Sequence, residues 1–231
     1  MLFRQLFDPE SSTFTYLVAD EETRQAALID PVREQIERDL ALLRELDLTL
    51  VYVLDTHVHA DHVTGADVLR TRTGAKTVAG IRSAPCADLH VRHGDVLPLG
   101  SLTIKVLETP GHTDDSVSYW LSDRVFTGDA LFVRGTGRTD FQNGNPEALY
   151  DSLTKVLFAL PDTTLVYPGH DYRGHEVSTI GEERQFNPRV GGGKTREEFV
   201  ALMSSLHLPP PKKIATAVPA NRACGRIPTD S

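Results

Sequence analysis

The chain has 231 residues and a formal net charge of −8, from 24 basic and 32 acidic side chains. That balance argues against nucleic acid or an anionic membrane as the main partner, because both are drawn to basic patches. A chain of this length with 40% hydrophobic residues can bury a large core, and one α/β unit is the expectation.

The opening stretch, MLFRQLFDPESST, lacks the apolar core of a signal peptide and carries acids that a transit peptide avoids. No apolar run approaches the ~18 residues of a membrane-spanning helix. A cytoplasmic protein is expected, or one of the mitochondrial matrix whose targeting segment has been removed. Cys86 and Cys224 lie far apart, which predicts no disulfide framework and a reducing compartment. Cys224 reads as an inert small residue.

In chain order, residues 13–20 (TFTYLVAD) and 25–30 (QAALID) predict a hairpin across a charged turn. Ile36, Leu40, Leu43 and Leu46 then recur at helical spacing. Residues 50–55 (LVYVLD) read as a buried strand, and GADVLRTRTG as a helix stopped by Gly74. Two short β-like runs follow at 95–100 and 102–110, then a hairpin at 115–129 that turns at Ser122–Asp123. Asn145 and Pro146 have the identities of an N-cap and first helical residue for NPEALYDSLTKVLFAL. A strand at 164–170, a helix around 174–185 and a helix at 194–206 with Thr195 as cap complete the pattern. The Pro-rich tail, 208–231, is expected to be irregular and to pack on a single domain spanning 1–231. Hairpins early and strand–helix alternation later favour two sheets with helices outside, over a doubly wound parallel sheet.

Four segments place an acid or a histidine at or just after the end of a predicted strand: THVHADH (56–62), TPGHTDDS (109–116), FTGDA (126–130) and YPGHDY (167–172). Loops at strand ends converge on one rim in layered α/β folds. The pooled donors are His57, His59, Asp61, His62, His112, Asp129 and His170. All offer nitrogen or oxygen, which suits Zn, Fe(II) or Mn rather than a thiolate site. The lone histidines His90, His93 and His207 read as surface or satisfied core residues.

The string T-H-x-H-x-D-H, followed by G-H-T, G-D and a late P-G-H, resembles the metallo-β-lactamase superfamily over about residues 13–180. The resemblance implies an αββα sandwich of two mixed sheets, helices on the outer faces and the metal at one edge. Carried over in full, His57, His59 and His112 would form one metal site and Asp61, His62 and His170 a second, bridged by Asp129. Two Zn in a glyoxalase II-like thioester hydrolase would use that set.

A closer resemblance covers nearly the whole chain. GDALFVRGTGRTDFQNGNPEALYDSL, YPGHDYRGHEVSTIGEERQFNPRV and LPPPKKIATAVPANRACG look like the persulfide dioxygenases. That family implies one Fe(II) per chain, held by two histidines and one aspartate: by position His57, His112 and Asp129. His59, Asp61, His62 and His170 would then support the site by hydrogen bonding. Such a triad leaves roughly three open positions on iron, room for a persulfide sulfur and O2. The implied reaction oxidises glutathione persulfide with O2 and water to sulfite and glutathione, in sulfide detoxification. Arg138, Tyr172 and Asn221 are the substrate-binding candidates, with Arg138 the fork expected for a glutathione carboxylate. A separate rhodanese-type sulfurtransferase is an expected partner, and a homodimer is compatible. A non-catalytic metal-binding protein on the same fold is the weakest of the three readings.

Overall fold

The structure, a computed structural model, describes residues 1–227. Two six-stranded mixed sheets carry the described strands. The first runs in sequence order: β1 (Leu2–Asp8), β2 (Thr13–Ala19), β3 (Gln25–Ile29), β4 (Thr49–Leu54), β5 (Lys76–Gly80) and β6 (Leu89–Val91). Its first three strands are antiparallel, and β3 to β6 are parallel. The second contains β7 (Val96–Leu99), β8 (Leu102–Glu108), β9 (Val117–Leu121), β10 (Arg124–Gly128), β11 (Leu165–Pro168) and β12 (Ser178–Thr179), in the order β12-β11-β10-β9-β8-β7. These mixed sheets bear out the expected class and rule out a doubly wound parallel sheet. No helix of the described residues is long and apolar enough to cross a membrane.

The chain divides into two compact units. Among the described residues, the first holds 1–91, 96–104 and 210–227; the second holds 92–95 and 105–209. In the first, α1 (Ile36–Glu45) and α2 (Ala66–Thr73) turn Ile36, Leu40, Leu43 and Leu69 toward Leu17, Leu28 and Val53 of the sheet. In the second, Val125, Leu131 and Val166 pack with Leu149, Leu153, Leu157, Ile180, Phe199 and Met203. Each fully buried aliphatic or aromatic side chain of this size contributes about 1.5–3 kcal/mol.

The expected end signals hold. Asn145 Oδ1 accepts the Ala148 N–H at 3.0 Å, and Pro146 opens α3 (Pro146–Asp151). The segment then widens into a π turn over Ser152–Val156 and tightens into a 3-10 turn over Leu157–Ala159. Thr195 and Glu198 form a reciprocal capping box on α5 (Arg196–Ser204). β1, with its partly exposed outer face, is absent from the sequence-based reading. The helix expected around 174–185 starts later: Ser178 pairs with Val166, and α4 runs Ile180–Phe186 behind a Thr179 cap.

Two expectations are overturned. The tail is not irregular over its described part, because Ile214–Arg222 form α6 even with Pro219 inside; its last residues, 228–231, lie outside the described residues. The alanines of α6 favour helix, and Ala217 and Ala220 are buried with Val63, while Pro219 leaves one helical hydrogen bond unmade. Cys86 and Cys224 are joined in a disulfide across 138 residues of sequence, their Cα atoms 6.0 Å apart. Linear separation carries no information about that proximity.

One buried charge in α1 has a measurable cost. Asp39 is 1% exposed, and burial pushes its carboxyl up to about 6 although Arg38 donates to Oδ1 at 2.9 Å. In the unfolded chain the carboxyl titrates near 3.8, so the folded state binds more protons between that pH and about 6. Stability therefore falls as pH rises through this window, by roughly 3 kcal/mol at most. Asp39→Asn should raise Tm at neutral pH and flatten the stability slope between pH 4 and 6. An unchanged slope in urea titrations would remove Asp39 as its source.

Candidate metal centre

In the first unit the histidine loop is organised from the end of β3. Asp30 follows that strand and is 1% exposed. Burial pushes its carboxyl up, against the opposing pull of His57 and the Thr56 donors. Asp30 accepts the Thr56 N–H (2.7 Å) and Thr56 O–H (2.8 Å), and His59 Nε2 lies 3.0 Å from Oδ1. The single Thr56 hydroxyl proton is thus spent on Asp30. Its oxygen then accepts from His57 Nδ1 at 3.0 Å, which leaves Nε2 as the basic nitrogen of a neutral His57 ring.

The remaining residues of THVHADH are held close by. His62 Nδ1 is 2.9 Å from Asp61 Oδ2, which also accepts the Thr13 hydroxyl at 2.9 Å. The His57 and His59 rings are 4.1 Å apart between centroids, and those of His59 and His62 are 4.3 Å apart. His59, Asp61 and His62 can each offer a ligand atom within 4.8 Å of the others, as can Asp30, Asp55 and His59.

Asn221, expected at the substrate, has another place. It is 3% exposed on α6, accepts the Thr64 N–H at 2.8 Å, and donates to the carbonyls of His59 (2.9 Å) and His62 (2.8 Å). Its amide is spent on the histidine loop, so it shapes that loop from behind.

In the second unit three sequence-predicted donors converge. β10 and β11 are parallel neighbours, so Asp129 and His170 leave the sheet side by side from the same strand ends. Asp129 Oδ2 lies 3.5 Å from His112 Nε2, and Oδ1 lies 3.5 Å from His170 Nε2. His112 Nδ1 is 2.7 Å from the Arg138 carbonyl, which can only accept, so Nδ1 carries the proton. In the neutral ring, Nε2 turns a lone pair toward a carboxylate, an arrangement suited to a divalent cation between them. Only glycine fits behind it: a Cβ on Gly137 would meet the Asp129 carbonyl at 2.1 Å and His112 Nδ1 at 2.8 Å.

The other two substrate candidates differ in character. Arg138 donates to both Asp140 oxygens (2.6 and 2.8 Å) and to the carbonyls of Leu208 (3.1 Å) and Pro209 (2.7 Å). Its guanidinium stands 4.5 Å from the Phe141 ring centre and holds the Asp140 carboxyl below the usual range. That fork is largely engaged within the protein. Tyr172 is 72% exposed, with its ring parallel to that of His170 at 5.9 Å.

Sequence reasoning missed the residues that tie this half together. Buried Glu183 of α4 accepts from the Arg134 N–H (2.9 Å), the Arg134 guanidinium, Ser178 Oγ (2.6 Å) and Asn187 Nδ2 (2.7 Å). Asn187 also donates to the Gly135 carbonyl at 3.0 Å, and Arg189 to the Thr136 carbonyl at 2.6 Å. The EERQFNPR string thereby clamps residues 134–136, just before Gly137. The available signal was an Arg in one string and acids in the other, with nothing to pair them. Glu183→Ala should cost about 3–5 kcal/mol in urea unfolding, because it strands Arg134 and Asn187. Exposed Glu182→Ala should cost less than about 1 kcal/mol, and equal losses would refute the clamp.

Comparison with known proteins agrees with this geometry. Residues 8–85 and 88–170 match the metallo-beta-lactamase superfamily. The mitochondrial persulfide dioxygenase ETHE1 of Homo sapiens is 48% identical over 97% of this chain and 89% of its own length. The crystal structure of ETHE1 from Myxococcus xanthus superposes with a TM-score of 0.96 at 65% identity, covering 98% of this chain and all of that one. Glyoxylase B2 of Dictyostelium discoideum is more distant, at 30% identity over 95% of this chain and 89% of its length. Family and donor set together imply a metal cofactor. The chain belongs to the metallo-β-lactamase superfamily and, within it, to the persulfide dioxygenase family.

Proposed function

We propose that this protein is an Fe(II)-dependent dioxygenase that oxidises glutathione persulfide to sulfite and glutathione. The observation that carries this reading is the 48% identity to a persulfide dioxygenase across nearly the full chain. The balance is one persulfide, one O2 and one water consumed, with glutathione, sulfite and two protons released. His57, His112 and Asp129 would hold one iron per chain. Bound there, Fe(II) would supply O2 activation.

The protein's own part is preparation. Thr56 and the Arg138 carbonyl each hold an Nδ1 proton, which keeps the Nε2 lone pairs of His57 and His112 available. His59 is oriented by Asp30 and His62 by Asp61. Tyr172 offers an exposed ring and phenol for the glutathione moiety, and Arg138 acts on substrate through the loop it closes. A rhodanese-type sulfurtransferase as separate persulfide donor, and a homodimer, belong to the same proposal.

One observation favours a second reading. Asp129 turns one oxygen to His112 and the other to His170, as a carboxylate bridging two metals would, and His59, Asp61 and His62 form a further donor group. A dinuclear zinc thioester hydrolase would use both. Metal analysis with oxygen-uptake measurements separates the two. The dioxygenase predicts about one iron per chain and O2 consumption that depends on glutathione persulfide. Two zincs, no uptake and S-lactoylglutathione hydrolysis would overturn it. His112→Ala and Asp129→Ala should lose iron and activity together, whereas His170→Ala should keep iron and lose about 10–100-fold in activity. Complete iron loss in His170→Ala would refute the mononuclear assignment.

A further inference from the structure

The disulfide sits where the histidine loop is braced from behind. Cys224 lies two residues beyond the end of α6 and three after Asn221, whose amide makes the three bonds to His59, His62 and Thr64. The turn beyond it runs along the start of α2. The Asp67 N–H donates to the Cys224 carbonyl at 3.0 Å, and Arg226 Nε to Asp67 at 2.9 Å. Arg33 donates to the Gly225 carbonyl at 2.8 Å, and a Cβ on Gly225 would strike the Thr64 carbonyl at 2.1 Å. The fully buried apolar residues of α6 are Ala217 and Ala220, which cluster with Val63, and Ile214 and Val218 are half-buried. Besides that packing, the helix is held by the Asn221 bonds and by the covalent tie.

That tie leads to the surface. Cys86 is partly exposed on the loop between β5 and β6, with its Sγ 3.5 Å from the Arg222 carbonyl, whereas Cys224 is 3% exposed. A small nucleophile thus has access to the Cys86 sulfur, with the Cys224 sulfur as leaving group.

We propose that Cys86–Cys224 is an exchange site for low-molecular-weight thiols, through which the thiol pool sets the rigidity of the His57–His62 loop. A thiolate attacks the Cys86 sulfur, forming a mixed disulfide and releasing Cys224 as thiolate. A second thiolate attacks the external sulfur of the mixed disulfide, releasing Cys86 as thiolate and a symmetrical small disulfide. The protein gains two electrons, and two small thiols are oxidised. The glutathione released by the proposed reaction is such a thiol, but the exchange needs no turnover. Once reduced, α6 keeps its polar bonds but loses its tether, and the Asn221 brace opens more often.

The Thr64 amide is the direct reporter, since it donates to Asn221. Protein purified without reductant should show no reactive thiol while folded, and two after millimolar glutathione, by thiol titration and intact mass. Hydrogen exchange at Thr64 should then accelerate roughly tenfold or more, with amides of β2 and β3 unchanged. Cys86→Ser should exchange at the reduced rate whatever the glutathione ratio. Two reactive thiols in the folded, unreduced protein would overturn the proposal, as would resistance to glutathione or a Thr64 rate unaffected by reduction. Because the wild-type chain is compared with itself, the test stands even if Cys86→Ser folds poorly.

Discussion

A carboxylate with almost no access to water has to be given donors, and at Asp30 the first unit supplies them all from one loop. Thr56 spends both its N–H and its O–H there, and His59 adds a ring nitrogen. Placing Asp30 at the end of β3, beside its parallel partner β4, brings the carboxylate under the segment that leaves β4. The consequence is chemical as well as structural. Because the hydroxyl proton of Thr56 is committed, the orientation of the His57 ring and the identity of its basic nitrogen follow. Leaving Asp30 without those donors would cost several kcal/mol, so the same bonds that stabilise the unit also fix the His57 ring.

The second unit solves the matching problem by other means. His112 is set by a backbone carbonyl rather than a carboxylate, and that carbonyl belongs to Arg138. The segment that presents it must therefore be rigid. Glu183, Asn187 and Arg189 grip residues 134–136 ahead of it, while the Arg138 side chain anchors it to Asp140, Leu208 and Pro209 behind. EERQFNPR thus acts on residues 134–136, and the GRTDFQ string that follows them is held through Arg138 to Asp140 and to the backbone of Leu208 and Pro209. Their specificity as a family signature reflects a scaffold that carries His112 and Asp129.

How much of this was legible in the sequence depends on the range of the interaction. Caps and turns act within a few residues, so Asn145, Pro146, Thr195 and the Ser122 turn could be read directly. The donor residues were legible because strand-end positions repeat through the chain. Interactions that join distant segments were not. Nothing near Cys224 pointed to Cys86, and nothing near Asn221 pointed to the carbonyls of His59 and His62. In α6, Pro219 and the preceding proline run hid the helical bias of Ala215, Ala217 and Ala220. Asp30 was legible only as the last residue of a strand.

Residue identity also proves a poor guide to role in a crowded polar site. His57, His59 and His62 share one side chain and lie within one short loop, yet each has a different nitrogen or partner committed: Nδ1 to Thr56, Nε2 to Asp30, Nδ1 to Asp61. An imidazole that gives one nitrogen to a carboxylate still has the other, and the ring orientation so imposed decides where it faces. Metal number in this superfamily is therefore not a count of histidines and aspartates. It depends on how the surrounding hydrogen bonds orient their lone pairs, and those bonds come from Thr13, Asp30 and Thr56 in the first unit and from the Arg138 carbonyl in the second. Thr56 belongs to the T-H-x-H-x-D-H string, but Thr13 and Asp30 lie outside it, and substituting either would change the chemistry while leaving every motif intact.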